Sequence, residues 1–190
     1  MEHFLPTVLD RLEAVWRSQG ALIADHLMPG ATSDHLDGLE ARMGQPIPPE
    51  LRAWWQWHDG VERLGPGTGI GPIGPGFWDF KSSIEAVEDR ANQLATNPEW
   101  ERGWLPVVRQ DAYALFVDCH SVTPVGTVPV RSWDHTPMDP YTPAAGCFTL
   151  AVLIWTELLE QGVYHWNVEH RGWDLDQARL PRSLMNFGPL

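Results

Sequence analysis

The chain has 190 residues, 43% of them hydrophobic, and a formal net charge of −12. One domain with its own core, spanning residues 1–190, fits that length, and the charge has the wrong sign for nucleic acid or an anionic membrane surface. Two cysteines, Cys119 and Cys147, are too few for a disulfide framework and lack zinc-site spacing, so neither a metal nor a cofactor is expected.

The acids are spread evenly: nine against four bases in residues 1–60, nine against five in 61–130, and seven against four in 131–190. The whole molecule is acidic; the charge serves solubility, and its field would steer basic partners in. Lys81 is the one lysine among thirteen bases, a bias that, with abundant Ala, Gly, Pro and Trp, fits a GC-rich bacterial gene. The N-terminal MEHFLPTVLDRLEAVW has no basic n-region and no apolar h-region. The most apolar run, Cys147 to Trp155, falls far short of the ~20 residues a membrane span needs. The expectation is a soluble, cytoplasmic protein.

Leu5, Val8, Leu9, Leu12, Val15 and Trp16 recur at helical spacing and predict a helix from about Pro6 to Leu27, with Gly20 able to divide it. Ser33 or Asp34 then caps a short helix carrying Leu36, Leu39 and Met43, and Gly44 stands where a terminal glycine belongs. Residues 46–62 read PIPPELRAWWQWHDGVE. Pro48 and Pro49 suit a helix start, Glu50 its first turn and Gly60 its stop. At 100° per residue Leu51, Trp54, Trp55 and His58 share the inner face, with Trp57 on its flank and Asp59 opposite. That phasing reads Trp54 and Trp55 as core rather than as a cation cage. It also turns His58 and Asp59 apart, so they make no catalytic dyad.

A Gly/Pro-rich loop follows at residues 65–76. Its G-x-G-x-x-G match at 69–74 contains Pro72 and opens no helix, so it is no nucleotide loop. Phe77 to Phe80 suits a strand, and Ser82-Ser83-Ile84-Glu85 offers a capping box for a helix to about Thr96. Strands are expected from Trp104 to Val108, Tyr113 to Asp118 and Gly126 to Trp133, joined as an antiparallel meander. Pro129 argues for an edge position or a bulge in the third. A polar loop spans 134–146. A buried helix runs from Cys147 to Gln161 with Gly162 as its cap, and a last strand carries Tyr164, Trp166 and Val168. The tail past Trp173 reads as loosely packed. His165 and His170 have opposite strand parity and would face opposite sides. Helices, then strands, then a helix define an α+β domain with a mostly antiparallel sheet.

The order of these signals resembles the Smi1/Knr4 (SUKH) family. Leu39-Glu40-Ala41-Arg42-Met43-Gly44, then Pro46 to Arg52, then a Trp-rich helix ending in Asp59-Gly60 match its run of E-x-x-x-G, L-P-x-x-[YL]-[RK] and a closing N-G. Gly44, Pro48, Leu51, Trp54, Gly60, Trp104 and Asp118 fall on structural positions of that pattern. Ile47 and Asp59 are mild departures, and Arg109-Gln110-Asp111 replaces the usual glycine turn. The resemblance covers about residues 6–168. It implies a curved sheet flanked by helices, no catalytic residues, and in bacteria an immunity protein that neutralises a toxin, for instance a basic nuclease. A scaffold or regulator without a toxin is the alternative. A hydrolase using Asp134 and His135 is a third reading, which lacks a nucleophile and metal spacing. The candidate partner-binding residues are the exposed polar rims: Trp57, Asp59, Glu62, Asp79, Asp134 and His135.

Overall fold

A computed structural model describes residues 4–62, 79–110, 113–134 and 142–181. Five helices are described: α1 (Phe4–Ser18), α2 (Ser33–Met43), α3 (Pro49–Trp57), α4 (Ser83–Thr96) and α5 (Phe148–Glu160). The strands are β1 (Asp79–Phe80), β2 (Trp104–Gln110), β3 (Tyr113–Asp118), β4 (Val130–Asp134), β5 (Thr142–Ala145), β6 (Tyr164–Asn167) and β7 (Gly172–Leu175). The first five form one antiparallel sheet in chain order, and β6 and β7 form a separate hairpin. This is the expected α+β fold.

Strand alternation builds a core on each face of the sheet. Leu105, Leu115 and Val117 point into the main core with Leu9 and Leu12 of α1, Leu51 and Trp54 of α3, and Phe148 and Trp155 of α5. Ala114 and Phe116 point the other way, onto Trp100 and Trp104, with Leu94 of α4 packed beside them. Trp104 and Phe116 lie 4.6 Å apart there.

Several boundaries differ from the sequence expectation. α1 ends at Ser18 because Gly20 turns left-handed (φ 65), and Leu22–Asp25 is a separate 3-10 turn. The cap of α2 is Thr32, whose hydroxyl accepts from His35 N–H at 3.2 Å, rather than Ser33 or Asp34. Gly44, at φ 70, closes α2 as predicted. Ser82 and Glu85 form the predicted capping box of α4.

Of the two expectations for Pro129, the edge position fails and the irregularity in strand register holds. β4 lies between β3 and β5, not at an edge, and Pro129 precedes it, giving only its carbonyl to Asp118 N–H at 3.2 Å. The register slips in two places: between Val130 and Arg131 against β5, directly after Pro129, and between Pro106 and Val108 in β2, where Val107 is the extra residue. The polar 134–146 segment contains β5, a strand that its prolines and short length conceal. From Trp173 to Pro181 the chain is not loose: β7 pairs residue for residue with β6, and Leu175 and Leu180 pack on the main core, while residues 182–190 of that tail lie outside the described residues. The Gly/Pro-rich loop, with its G-x-G-x-x-G match, lies outside the described residues.

Candidate partner-binding surface

α3 sits between α1, α5 and the sheet, and its two ends do different work. At the start, Pro48 is the N-cap and Pro49 the first helical residue, where a missing N–H costs nothing. Glu50 follows. Sequence reasoning assigned it a favourable place in the helix dipole. The structure shows more: Glu50 is 7% exposed and its carboxyl joins three parts of the chain. One oxygen accepts Val128 N–H at 2.7 Å, and the other accepts Thr149 N–H at 2.9 Å and the Thr149 hydroxyl. Thr149 is in the first turn of α5, and Cys147 at its N-cap position makes no side-chain cap bond, so Glu50 supplies the missing cap from a distant helix. No sequence signal near 148 reveals this.

The helix ends at Trp57, three residues before Gly60. His58 is extended (φ −146), so the 100° argument that separated it from Asp59 does not apply. The two are still not a dyad, for another reason: each is bound elsewhere. His58 Nδ1 lies 2.7 Å from Met28 O and its Nε2 3.4 Å from Glu13. Asp59 reaches across to α4, accepting Ser83 N–H at 2.6 Å and the Ser83 hydroxyl at 3.1 Å. Gly60 is left-handed (φ 92) because a Cβ there would meet Ser82 N at 2.8 Å. The 28–31 segment runs along the end of α3, with Ala31 N–H donating to Trp55 O, and a Cβ on Gly30 would collide with Gln56 O.

Asp59 is thus a structural residue, which corrects its place among the exposed candidates. Asp59→Ala should lower stability by about 1–2 kcal/mol through loss of a helix N-terminal acceptor. Urea denaturation would show it, and an unchanged midpoint would return Asp59 to the surface list.

Trp57 is half-buried, its ring 5.4 Å from Trp54, 6.2 Å from Trp16 and 4.5 Å from His58. No cage forms on α3: Trp54 and Trp55 are buried, and Trp55 Nε1–H donates to Lys81 O. Glu62 is open, with a 69% exposed side chain beside His26 at 3.3 Å. Asp79 pairs with Arg109 in the β1–β2 register, and Asp134 pairs with Tyr113 in β3–β4. Following the ladder from Asp79 through Arg109 and Ala114 leads to Trp133, so Asp79 and Asp134 lie at the same end of the sheet. His135 lies outside the described residues. Leu51, Trp54 and Trp104 are buried, Gly44 and Gly60 are left-handed, Pro48 is the N-cap of α3, and Asp118 caps the 119–121 turn by accepting from His120 N–H and the Ser121 hydroxyl.

Glu13 links this end to α1. Arg17 donates to it at 2.6 and 2.9 Å, and His58 lies beside it. Burial pushes its carboxyl up, but the hydrogen bonds from Arg17 and His58 outweigh this and hold it below its ordinary 4.5. A carboxyl depressed on folding stabilises above its unfolded value, and that contribution is lost as pH falls through the folded value. Glu13→Gln should therefore flatten the fall of melting temperature below about pH 4.5.

The thiols are not nucleophiles in waiting. Burial drives Cys119 up to about 12, and burial also raises Cys147. The parity argument for the late histidines fails because β6 ends at Asn167. His165 and His170 both approach Asp174, at 3.8 and 3.2 Å. Among the described residues no group of His, Cys, Asp and Glu is placed to hold a metal ion. No described helix is long and apolar enough to cross a membrane.

The family model of the SMI1 / KNR4 family (SUKH-1) matches residues 30–149. The chain belongs to this family. No curated protein matches the sequence. The matched stretch of the SUKH-1 domain takes in α2, α3, α4 and the whole five-stranded sheet, and it ends at Thr149, the residue that Glu50 holds. α1 and nearly all of α5, which pack on each other through Arg11 and Glu160 among other contacts, lie outside it.

Proposed function

We propose that this protein is a non-catalytic binding protein of the immunity type, holding a basic effector domain and occluding it. The observation that carries the reading is where the charges go. Arg11, Arg17, Arg42, Arg52, Lys81 and Arg179 each pair with a carboxylate of the same chain. Six of the thirteen bases are thus neutralised within the molecule, and the excess of twelve carboxylates over bases acts outward. Such a field speeds encounter with a basic surface, such as the phosphate-binding face of a nuclease. Membership of the SUKH-1 family supports a protein-binding role of this kind. Trp57, Glu62, Asp79, Asp134 and His135 are the acidic and aromatic residues proposed for contact.

The test is binding to, and protection from, the C-terminal domain of an effector encoded beside the gene. Association should slow steeply with salt, and Glu62→Arg should slow it by about two- to tenfold with little effect on folding, as for a rim charge. If no such effector is bound or neutralised, the immunity reading fails.

A further inference from the structure

Among the described residues six large hydrophobic side chains are exposed, and three of them line one groove: Phe4 (47%), Val125 (56%) and Leu150 (42%). The groove encloses about 380 Å³ between the starts of α1, α3 and α5 and the turn before β4. Single exposed hydrophobics are ordinary; three converging on one concavity mark an interaction site. Leu5, Pro49 and Leu153 complete its apolar walls.

The groove is built before anything enters it. Glu50, in its lining, ties α3 to Val128 and Thr149. Val125 stands on a closed turn: Thr123 N–H donates to Thr127 O at 2.8 Å, Gly126 N–H donates to Thr123 O at 2.9 Å, and the two threonine hydroxyls meet at 2.7 Å. Gly126, at φ 81, brings this turn against Pro49, where a Cβ would lie 3.3 Å from the ring. A preformed surface loses little freedom on binding.

Its charge selects the occupant. The lining holds no lysine, arginine or histidine, and its one carboxyl, Glu50, is engaged by Val128 and Thr149, so the attraction comes from the molecule's net charge of −12. The bases on the flanking helices are engaged: Arg52 with Asp37 and Glu40, Arg11 with Glu160. An acidic segment would find no counter-charge here. A segment with one large apolar side chain between lysines or arginines would find both an apolar slot and an attractive field.

We propose that this groove anchors a basic protein partner, which inserts a leucine- or phenylalanine-sized side chain between Phe4, Val125 and Leu150. This rests on the immunity reading above and adds the face and the anchor to it. Phe4, Leu5, Leu150 and Leu153 lie outside the family match, so the anchor combines matched and unmatched parts of the chain.

The full chain, isotope-labelled, is titrated with three synthetic peptides: Ac-RKLFKR-NH2, Ac-EELFEE-NH2 and Ac-RKSSKR-NH2. The first should shift the amide signals of Ala53, Val125, Leu150 and Leu153, and the other two should leave them in place. Leu150→Arg and Val125→Ser, at exposed positions, should each keep the folded spectrum and weaken the first peptide by about tenfold or more, as loss of an interface anchor does. Equal binding of the acidic peptide, or shifts confined to the Glu62 and β1 rim, would overturn the proposal. So would groove shifts on simple concentration without peptide, abolished by Leu150→Arg, because the occupant would then be a second copy. The neighbouring effector domain separates the two readings. If it binds the wild type and Leu150→Arg equally, the groove is not the anchor and the immunity reading stands. If it does not bind while the basic peptide does, the immunity reading falls and the groove stands.

Discussion

Glu50→Ala is expected to destabilise the protein by about 3–5 kcal/mol, since each buried donor left without a partner costs about 1–3 kcal/mol. Three donors lose their acceptor: Val128 N–H, Thr149 N–H and the Thr149 hydroxyl. Val128 is fully buried, so water cannot replace the carboxyl there. At Thr149 the loss also uncaps α5, the most apolar helix and the centre of the main core. Glu50→Gln keeps one good acceptor and should lose less. Urea denaturation of both variants, with the slope m compared, measures the effect. A loss under about 1 kcal/mol, the worth of a single ordinary hydrogen bond, would mean that Glu50 does not lock α3 to α5.

Local signals were legible in the sequence, and remote ones were not. The prolines at 48 and 49, the capping box at Ser82 and Glu85, and the glycines at 44 and 162 act on neighbours within a few residues, so their spacing alone carries their meaning. The inner face of α3 was legible for the same reason: Leu51, Trp54 and Trp55 follow helical phase and are all buried. Glu50 is placed correctly in the first turn of α3, but its partners, 78 and 99 residues away, and that of Asp59, 24 residues away, leave no trace in local spacing. A carboxyl in a first helical turn reads as dipole compensation until the chain folds another helix start against it. The end of α3 shows a second limit. Gly60 reads as the stop, but the helix ends at Trp57, where the 28–31 segment, brought close by Gly30, donates Ala31 N–H to Trp55 O and accepts Asp59 N–H at Pro29 O.

The candidate surface divides along the same line. Glu62 needs only exposure to qualify, and composition suggests exposure for a glutamate after a turn. The groove needs Phe4, Val125 and Leu150, three apolar residues from three unrelated segments. Each reads singly as a core residue or a turn residue. Leu150 in particular belongs to a run so apolar that the sequence offers no reason to place it outside, yet it is 42% exposed. Only the docking of α5, capped by Glu50 and packed on α1, turns that side outward.

Trp54→Ala is the second substitution with a large expected effect, about 3–5 kcal/mol for removing a buried tryptophan and leaving a cavity. Trp54 is 2% exposed and joins three elements through its rings. Phe80 of β1 lies 4.5 Å from it at 70°, Phe148 of α5 lies 5.3 Å from it at 82°, and Trp57 lies 5.4 Å from it. Edge-to-face pairs of this kind add about 0.5–1.5 kcal/mol beyond buried area. Among the described residues β1 spans Asp79–Phe80 and pairs with β2, and the Phe80 ring meets Trp54 and Trp16, so the ring contact to Trp54 is part of its anchorage. The variant should therefore loosen β1 first, seen as faster amide exchange at Phe80 than at Leu115 in the sheet centre. Trp54→Phe should recover part of the stability and most of the protection. If Trp54→Ala left stability and β1 exchange unchanged, the tryptophan would not be core. The reading of α3 as a structural rod, with function confined to its two ends, would then have to be given up.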